Sequence, residues 1–446
     1  MSHHYNSRDN SRVSLQKRYE STSRRIHILS SLRNVVNLSE KENILDRQWS
    51  AIETQLFSIQ GQLMSRLKSS GKSYLSSLHK SGAASQLNYI LGKIDLDLST
   101  AIIFFDTYLD VLSQRKITEL GRILAGCDVI AWDALNKDHP ALFIIEPPIV
   151  FCDRGFGASI IREGAWFPGN IRNPVPLLQI PYSRLSSKHE LISIIHEAGH
   201  EVMTRLDLVR ILPAVLKAEL TAVGAPRNIA ELFGVWSSEI GPDFWTFCSS
   251  GIAQTSSIRE ILALPPQNVF QLSWLDPHPP PHLRVLLSIE WCRQLWGRGE
   301  WDDWEKEWDM FYPLGSASKG VQKILQTGRN YLPIVSRILF NTRFKVLSGR
   351  RLPDLFDMSV LAPFKMKKIA ESIESGKLDL TQISPCVQLS IFRMIRDKQE
   401  KFSEGFIDKI MTDWLIRLGE SRWRHTPRRH KPSQGISEIR LRQYSK

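Results

Sequence analysis

One stretch restricts this chain more than any other: Leu191-Ile192-Ser193-Ile194-Ile195-His196-Glu197-Ala198-Gly199-His200. Leu191, Ile195, Ala198, Val202, Leu206 and Val209 recur at three- and four-residue spacing, the period of a helix with one buried stripe. Ser187, with Glu190 three residues on, has the pattern of a capping box and predicts where that helix opens. On such a helix His196 and His200 lie one turn apart on one face, so both imidazoles can reach a single metal ion, with Glu197 beside them. This is the HExxH arrangement, in which two His bind Zn²⁺ and the Glu handles a proton of the attacking water. The plainer alternative is a hydrogen-bonded His pair at the rim of a core. Gly199 costs about 1 kcal/mol relative to Ala in a helix interior, so something must need its small size; close packing of another element near the metal would do.

A catalytic zinc takes a third protein ligand and keeps one position open. Three downstream glutamates compete. Glu219 lies at a spacing some zinc peptidases use, Glu231 opens the next helical run, and Glu239 has Asp243 one turn beyond it. Glu239 is preferred, because Asp243 on the same face can accept the N–H of a ligand His while Glu239 meets the metal.

HEAGH at 196–200, a later ExxxD (Glu239, Asp243) and His278-Pro279 followed by Arg284 resemble the gluzincin zinc metallopeptidases of the CAAX-prenyl-protease and heat-shock HtpX type, here as a soluble variant. The resemblance covers roughly residues 140–300. It implies an endopeptidase with one Zn²⁺ per chain on His196, His200 and Glu239, with Glu197 as base and His278 near the substrate oxyanion. Asp243 and Arg284 would stand behind the ligands. Two departures stand out: Gly241-Pro242 inside ExxxD, where Pro strains a helix interior, and Asp276-Pro277 where the family usually has a small hydroxyl residue. His139, His189 and His282 are read as surface or structural.

The transmembrane helices typical of that family are not expected, since no window holds 18 consecutive apolar residues, and the N-terminus has no apolar signal region. A cytoplasmic protein is the expectation. Its five cysteines are scattered without CxxC spacing and read as reduced and mostly buried. The net charge of +12 is concentrated at the ends: residues 1–30 carry six Lys/Arg against two Asp/Glu, and residues 417–446 carry nine against two. Such ends suit a nucleic acid or other anionic partner, or serve as solubilising tails.

The expected fold class is α+β, mostly helical: a zincin-like metallopeptidase core with a small mixed sheet, an N-terminal helical hairpin and a C-terminal helical region. Residues 1–30 read as a basic disordered N-terminus. Residues 31–115 read as a coiled-coil-like hairpin, opened by a capping box at Ser39 and Glu42 and broken from Ser69 to Ser85. Its near-heptad faces (Leu45 to Leu67, Leu87 to Leu112) suit a docking or homo-oligomerising arm over residues 39–112, or a hairpin lying on the body. Residues 116–315 carry the metallopeptidase domain, 316–416 the C-terminal helical region and 417–446 a basic tail. Strands are expected at 141–145, 149–152 and 158–162, and an edge strand at 174–181, whose prolines cannot donate ladder bonds and which could pair with an extended substrate. Trp301, Trp304 and Trp308 share a helical face that reads as core.

The function that follows is zinc-dependent hydrolysis of protein or peptide bonds. The alternative is a regulatory or interaction protein using the same fold as a scaffold, with an acidic partner or nucleic acid bound through the basic termini.

Overall fold

In the computed structural model, which describes residues 2–39, 44–143, 146–155, 157–374, 383–397 and 403–421, a small sheet separates two sets of helices. Strands β1 (Ile149–Asp153) and β5 (Leu177–Pro181) run parallel, β2 (Ser159–Ile161) pairs antiparallel with β5, and the order is β1-β5-β2. A separate pair, β3 (Trp166–Phe167) and β4 (Ile171–Arg172), lies between them in sequence. The protein is mostly helical with this small mixed sheet. The stretch expected at the sheet edge is therefore its centre. Pro174 and Pro176 precede β5 and Pro181 is its last residue, so the prolines bracket the ladder instead of interrupting it.

Side chains alternate across the sheet and give each face its own core. Ile149, Phe151 and Leu177 point to the N-terminal helices, while Val150, Leu178 and Ile180 point to the body. On the first side lie α1 (Ser2–His27), α2 (Asp46–Arg66) and α3 (Ala83–Ser113). Trp49, Ile52, Leu56 and Leu63 of α2 meet Leu87, Leu91, Ile94 and Leu98 of α3, all of them buried. The heptad-like faces are thus covered within the chain by each other and by the sheet, which removes the reason to expect a docking arm there. The break between them is shorter than expected, because helix continues through a wide turn at Leu67–Gly71 and a segment Lys72–Ser76.

The N-terminal segment expected to be disordered is helix α1. Its order comes from far along the chain: Asp95 on α3 accepts hydrogen bonds from Arg18, Thr22 and Arg25 at 3.0, 3.1 and 2.5 Å. Residues 141–145 do not form the expected strand either. Ala141 to Phe143 continue a helical turn that starts at Pro140, where the His139 ring accepts the Ala141 amide proton, and residues 144 and 145 lie outside the described residues.

The body holds α4 (Thr118–Leu135), α5 (Ser193–Arg205), α6 (Leu208–Ala222), α7 (Arg227–Ser250), α8 (Ile252–Ile261), α9 (Pro281–Trp296), α10 (Trp301–Phe311), α11 (Lys319–Asn341), α12 (Pro363–Glu374), α13 (Pro385–Asp397) and α14 (Glu404–Glu420). The helices after residue 316 share one core with those before it. Gly126 of α4 faces the Leu415 carbonyl and Gly419 of α14 faces Ala125, so these two helices touch backbone to backbone. Of the three tryptophans expected on a core face, Trp301 and Trp308 are buried and Trp304 is partly covered. The five cysteines are free, four of them buried. Among the described residues, no helix is long and apolar enough to cross a membrane. Glu42 and residues 422–446, most of the basic tail, lie outside the described residues.

Candidate metal centre

Helix α5 begins at Ser193, later than the capping signal implied. A 3-10 turn over Lys188–Ile192 precedes it, Ser187 makes no side-chain cap, and Glu190 pairs with Arg184 instead. One turn in, His196 and His200 project together, their Nε2 atoms 3.2 Å apart. Helix α7 crosses behind them and brings Glu239 to the same point: Oε2 is 3.3 Å from His196 Nε2 and Oε1 is 3.6 Å from His200 Nε2.

These three separations bear on whether a metal fits. Ligand atoms at zinc-bond length on a tetrahedron are about 3.3 Å apart, and the separations here are close to that, with each imidazole met by a different oxygen of Glu239. Charge points the same way. Glu197, Glu239 and Asp243 are all buried, and Arg284 is the guanidinium that meets this group, at Asp243 and Glu239. A cation at the triad would offset part of the negative charge of these three carboxyls. In the metal-free chain that field acts on protons: burial pulls the His196 imidazole down, but the Asp243 charge and hydrogen bond overcome it and raise it to about 10. His200 moves the other way, to about 4, through burial and the neighbouring His196 charge.

The supporting residues are in place around the triad. Asp243 Oδ1 lies 2.9 Å from His196 Nδ1, so the ring carries a carboxylate on one nitrogen and faces the candidate metal position with the other. Arg284 holds that carboxylate with Nε at 2.5 Å and Nη2 at 2.9 Å, and Nη2 reaches Glu239 at 3.4 Å. Burial opposes ionisation of Asp243 and Glu239, but Arg284 and His196 hold both carboxyls below their usual range. The competing glutamates are elsewhere: Glu219 is exposed, and Glu231 pairs with Lys217 on the surface.

Gly199 and Pro242 explain each other. A Cβ on Gly199 would sit 3.0 Å from Pro242 Cα and 3.2 Å from its Cβ, tighter than ordinary packing allows. The ligand helices cross at this contact, and Gly241 makes a second close approach, to Met203 of α5. The departure at Gly241-Pro242 therefore does not displace Glu239; it is part of the crossing. Pro242 stays inside α7.

A cleft of about 280 Å³ opens in front of the triad. Glu197 lines it, with its carboxyl raised above the usual range by burial. His278 lines it from the far side, with Nε2 3.6 Å from Glu239 Oε1. Asp276, the other departure, holds that ring: one oxygen takes the His278 backbone N–H at 2.9 Å and lies 2.7 Å from Nδ1. Gly157 and Ala158, leading into β2, form part of the rim.

Sequence reasoning missed the wall facing the triad. Helix α8 supplies Gln254, Ser257, Ile258, Ile261 and, just past its end, Leu262. Their spacing was a readable helical stripe, but its half-polar composition hid it. The three histidines read as surface or structural lie outside the triad: His139 bonds the Val346 carbonyl at 2.9 Å, His282 is fully buried against Phe270, and His189 lies 3.9 Å from Glu260. No family model, curated protein or solved structure matches the chain.

Proposed function

We propose that this chain is a zinc-dependent endopeptidase with a zincin-like core, akin to the gluzincins its motifs resemble. The observation that carries the reading is the convergence of two imidazole Nε2 atoms, 3.2 Å apart, on the Glu239 carboxylate, whose oxygens lie 3.3 and 3.6 Å from them, with Glu197 beside them in one cleft. A zinc ion held by His196, His200 and Glu239 supplies Lewis acidity toward the scissile carbonyl and makes water a better nucleophile. Glu197 accepts a proton from the water as its oxygen adds to the carbonyl carbon. It then delivers that proton to the amine nitrogen as the C–N bond breaks. Its raised affinity for protons suits both halves of this cycle. His278, steadied by Asp276, donates to the developing oxyanion through Nε2.

The substrate backbone belongs on β2. Strand β5 has partners on both sides, whereas among the described residues β2 pairs with β5 alone, and it follows directly on the cleft rim at Gly157 and Ala158. An extended peptide can add there as a further strand. A scaffold protein would need the ligands at most and has no use for the carboxylate of Glu197.

The test is Glu197→Gln. Zinc content and thermal midpoint should stay near wild type, while cleavage of an unfolded protein substrate falls about 10² to 10⁴-fold. Equal cleavage by the two proteins would overturn the proposed role.

A further inference from the structure

We infer that the cavity on the far side of α8 binds a free α-amino acid with a large apolar side chain. It measures about 460 Å³, is walled by α8, α10 and α13, and shares no lining residue with the metal cleft. The inference therefore stands apart from the reading of the metal centre.

The buried side of this cavity offers donors that nothing in the chain accepts. Arg393 is 1% exposed, and its Nη2 and Nε are taken by Glu260, Ser256 and Asp397. Both N–H groups of its Nη1 lack an acceptor among the described residues. So do the N–H of Arg396 Nε and the indole N–H of Trp308, another buried residue of the wall. Buried donors are nearly always paired in folded proteins, so several orphans around one cavity mark a place for an acceptor from outside the chain.

The open side has the opposite character. Glu300, Glu307 and Glu404 line it and are exposed. Arg259 holds Glu307 and Arg396 holds Glu404, whereas Glu300 makes no ion pair among the described residues. Over the whole lining, five carboxyls face three guanidiniums. An anion alone would deepen that imbalance, and a cation alone would leave the orphan donors unmet. A zwitterion answers both without adding net charge, with its carboxylate at the buried donors and its ammonium toward the glutamates. Trp304, Phe311 and Met394 supply an apolar side, and the space is ample for one amino acid as large as phenylalanine.

The experiment titrates the full chain with L-phenylalanine, with hydrocinnamate, which lacks the amine, and with phenethylamine, which lacks the carboxylate, following ligand relaxation by NMR. Phenylalanine should saturate with a Kd of about 1 mM or tighter, and each truncated probe should bind at least about 10-fold more weakly. Glu300→Gln, at an exposed position, should weaken phenylalanine about 3-fold and leave hydrocinnamate unchanged. Trp308→Phe removes the indole N–H and should weaken both about 10-fold. Because amino acids also chelate zinc, His200→Ala is titrated beside wild type and should bind phenylalanine equally well. No saturable binding of phenylalanine would leave the orphan donors to water and overturn the inference. A truncated probe that binds as tightly as phenylalanine, or affinities unmoved by both Glu300→Gln and Trp308→Phe, would overturn it too. Binding lost in His200→Ala would put the amino acid on the metal, which overturns this inference and supports the metal reading.

Discussion

Helix α8 has a cavity on each side, and the two hold their carboxylates in different ways. In the metal cleft, Glu197, Glu239 and Asp243 meet Arg284 and two imidazoles, so negative charge is left over. Across the helix, in a cavity of about 460 Å³, the carboxylates of Glu260, Asp397 and Glu307 are each held by guanidiniums. Glu260 takes Arg393 at 2.5 Å and Arg396 at 2.8 Å, Asp397 takes both of the same arginines, and Glu307 takes Arg259. A second His/Glu group, His189 with Glu190 and Glu260, is close enough to ligate an ion, yet its carboxylates are already held by Arg184, Arg393 and Arg396. Donors can lie close without being free: in the second group guanidiniums hold the carboxylates, whereas the Glu239 carboxylate faces the imidazoles of His196 and His200.

The sharpest way to break this contrast is to count metal. Wild type should carry about one zinc per chain, His200→Ala should carry none, and Glu260→Gln should keep the full complement by elemental analysis. Zinc lost on Glu260→Gln would place an ion on the wrong side of α8. Next in size is Arg393→Ala. Its side chain is 2% exposed, and its loss leaves Glu260 and Asp397 to Arg396 alone, so chemical denaturation should show about 3 kcal/mol less stability at unchanged zinc content. A neutral result would mean the arginine network is dispensable and the contrast only apparent.

Gly199→Ala should act more gently, about 1 to 3 kcal/mol, through a methyl forced against Pro242. Unlike Arg393→Ala it should also weaken zinc retention against a chelator, because the strain falls between the ligand helices. The smallest effect is a pH slope. Burial, then repulsion by Arg393 and Arg396, pulls the His189 imidazole down to about 4. Between that value and the ordinary 6.5 the unfolded chain binds the proton and the folded chain does not, so stability should fall as pH drops through this window. The slope from this one group is at most about 1.4 kcal/mol per pH unit, and His189→Gln should flatten it by that amount. An unchanged slope would shift the burden to the other buried histidines.

How much of this was legible beforehand depended on whether the signal was local. The clustering of His196, His200 and Glu239 could be read because HExxH and ExxxD each lie within one or two helical turns, where spacing alone sets the face. The helical pairing of α2 and α3 could be read from period. What covers that pair could not, because the sheet face that buries them comes from residues 149, 151 and 177, well along the chain. Helix α1 reads as a polar tail until Asp95, some seventy residues away, collects Arg18, Thr22 and Arg25. The place of β5 was misjudged because its prolines were counted as lost donors inside the ladder, although two precede it and one ends it. Asp276 looked like a family departure and proved to be the anchor of His278.

The contact between Gly199 and Pro242 bears on which ions such a triad would accept. Two helices that meet without an intervening side chain have no soft layer between them, so the span from His196 and His200 to Glu239 behaves as a gauge of fixed aperture. An ion with longer bonds to nitrogen and oxygen, such as cadmium, would have to prise the helices apart, while cobalt, close to zinc in radius, would not. Discrimination among metals would then be mechanical, written into a glycine and a proline that never touch the ion.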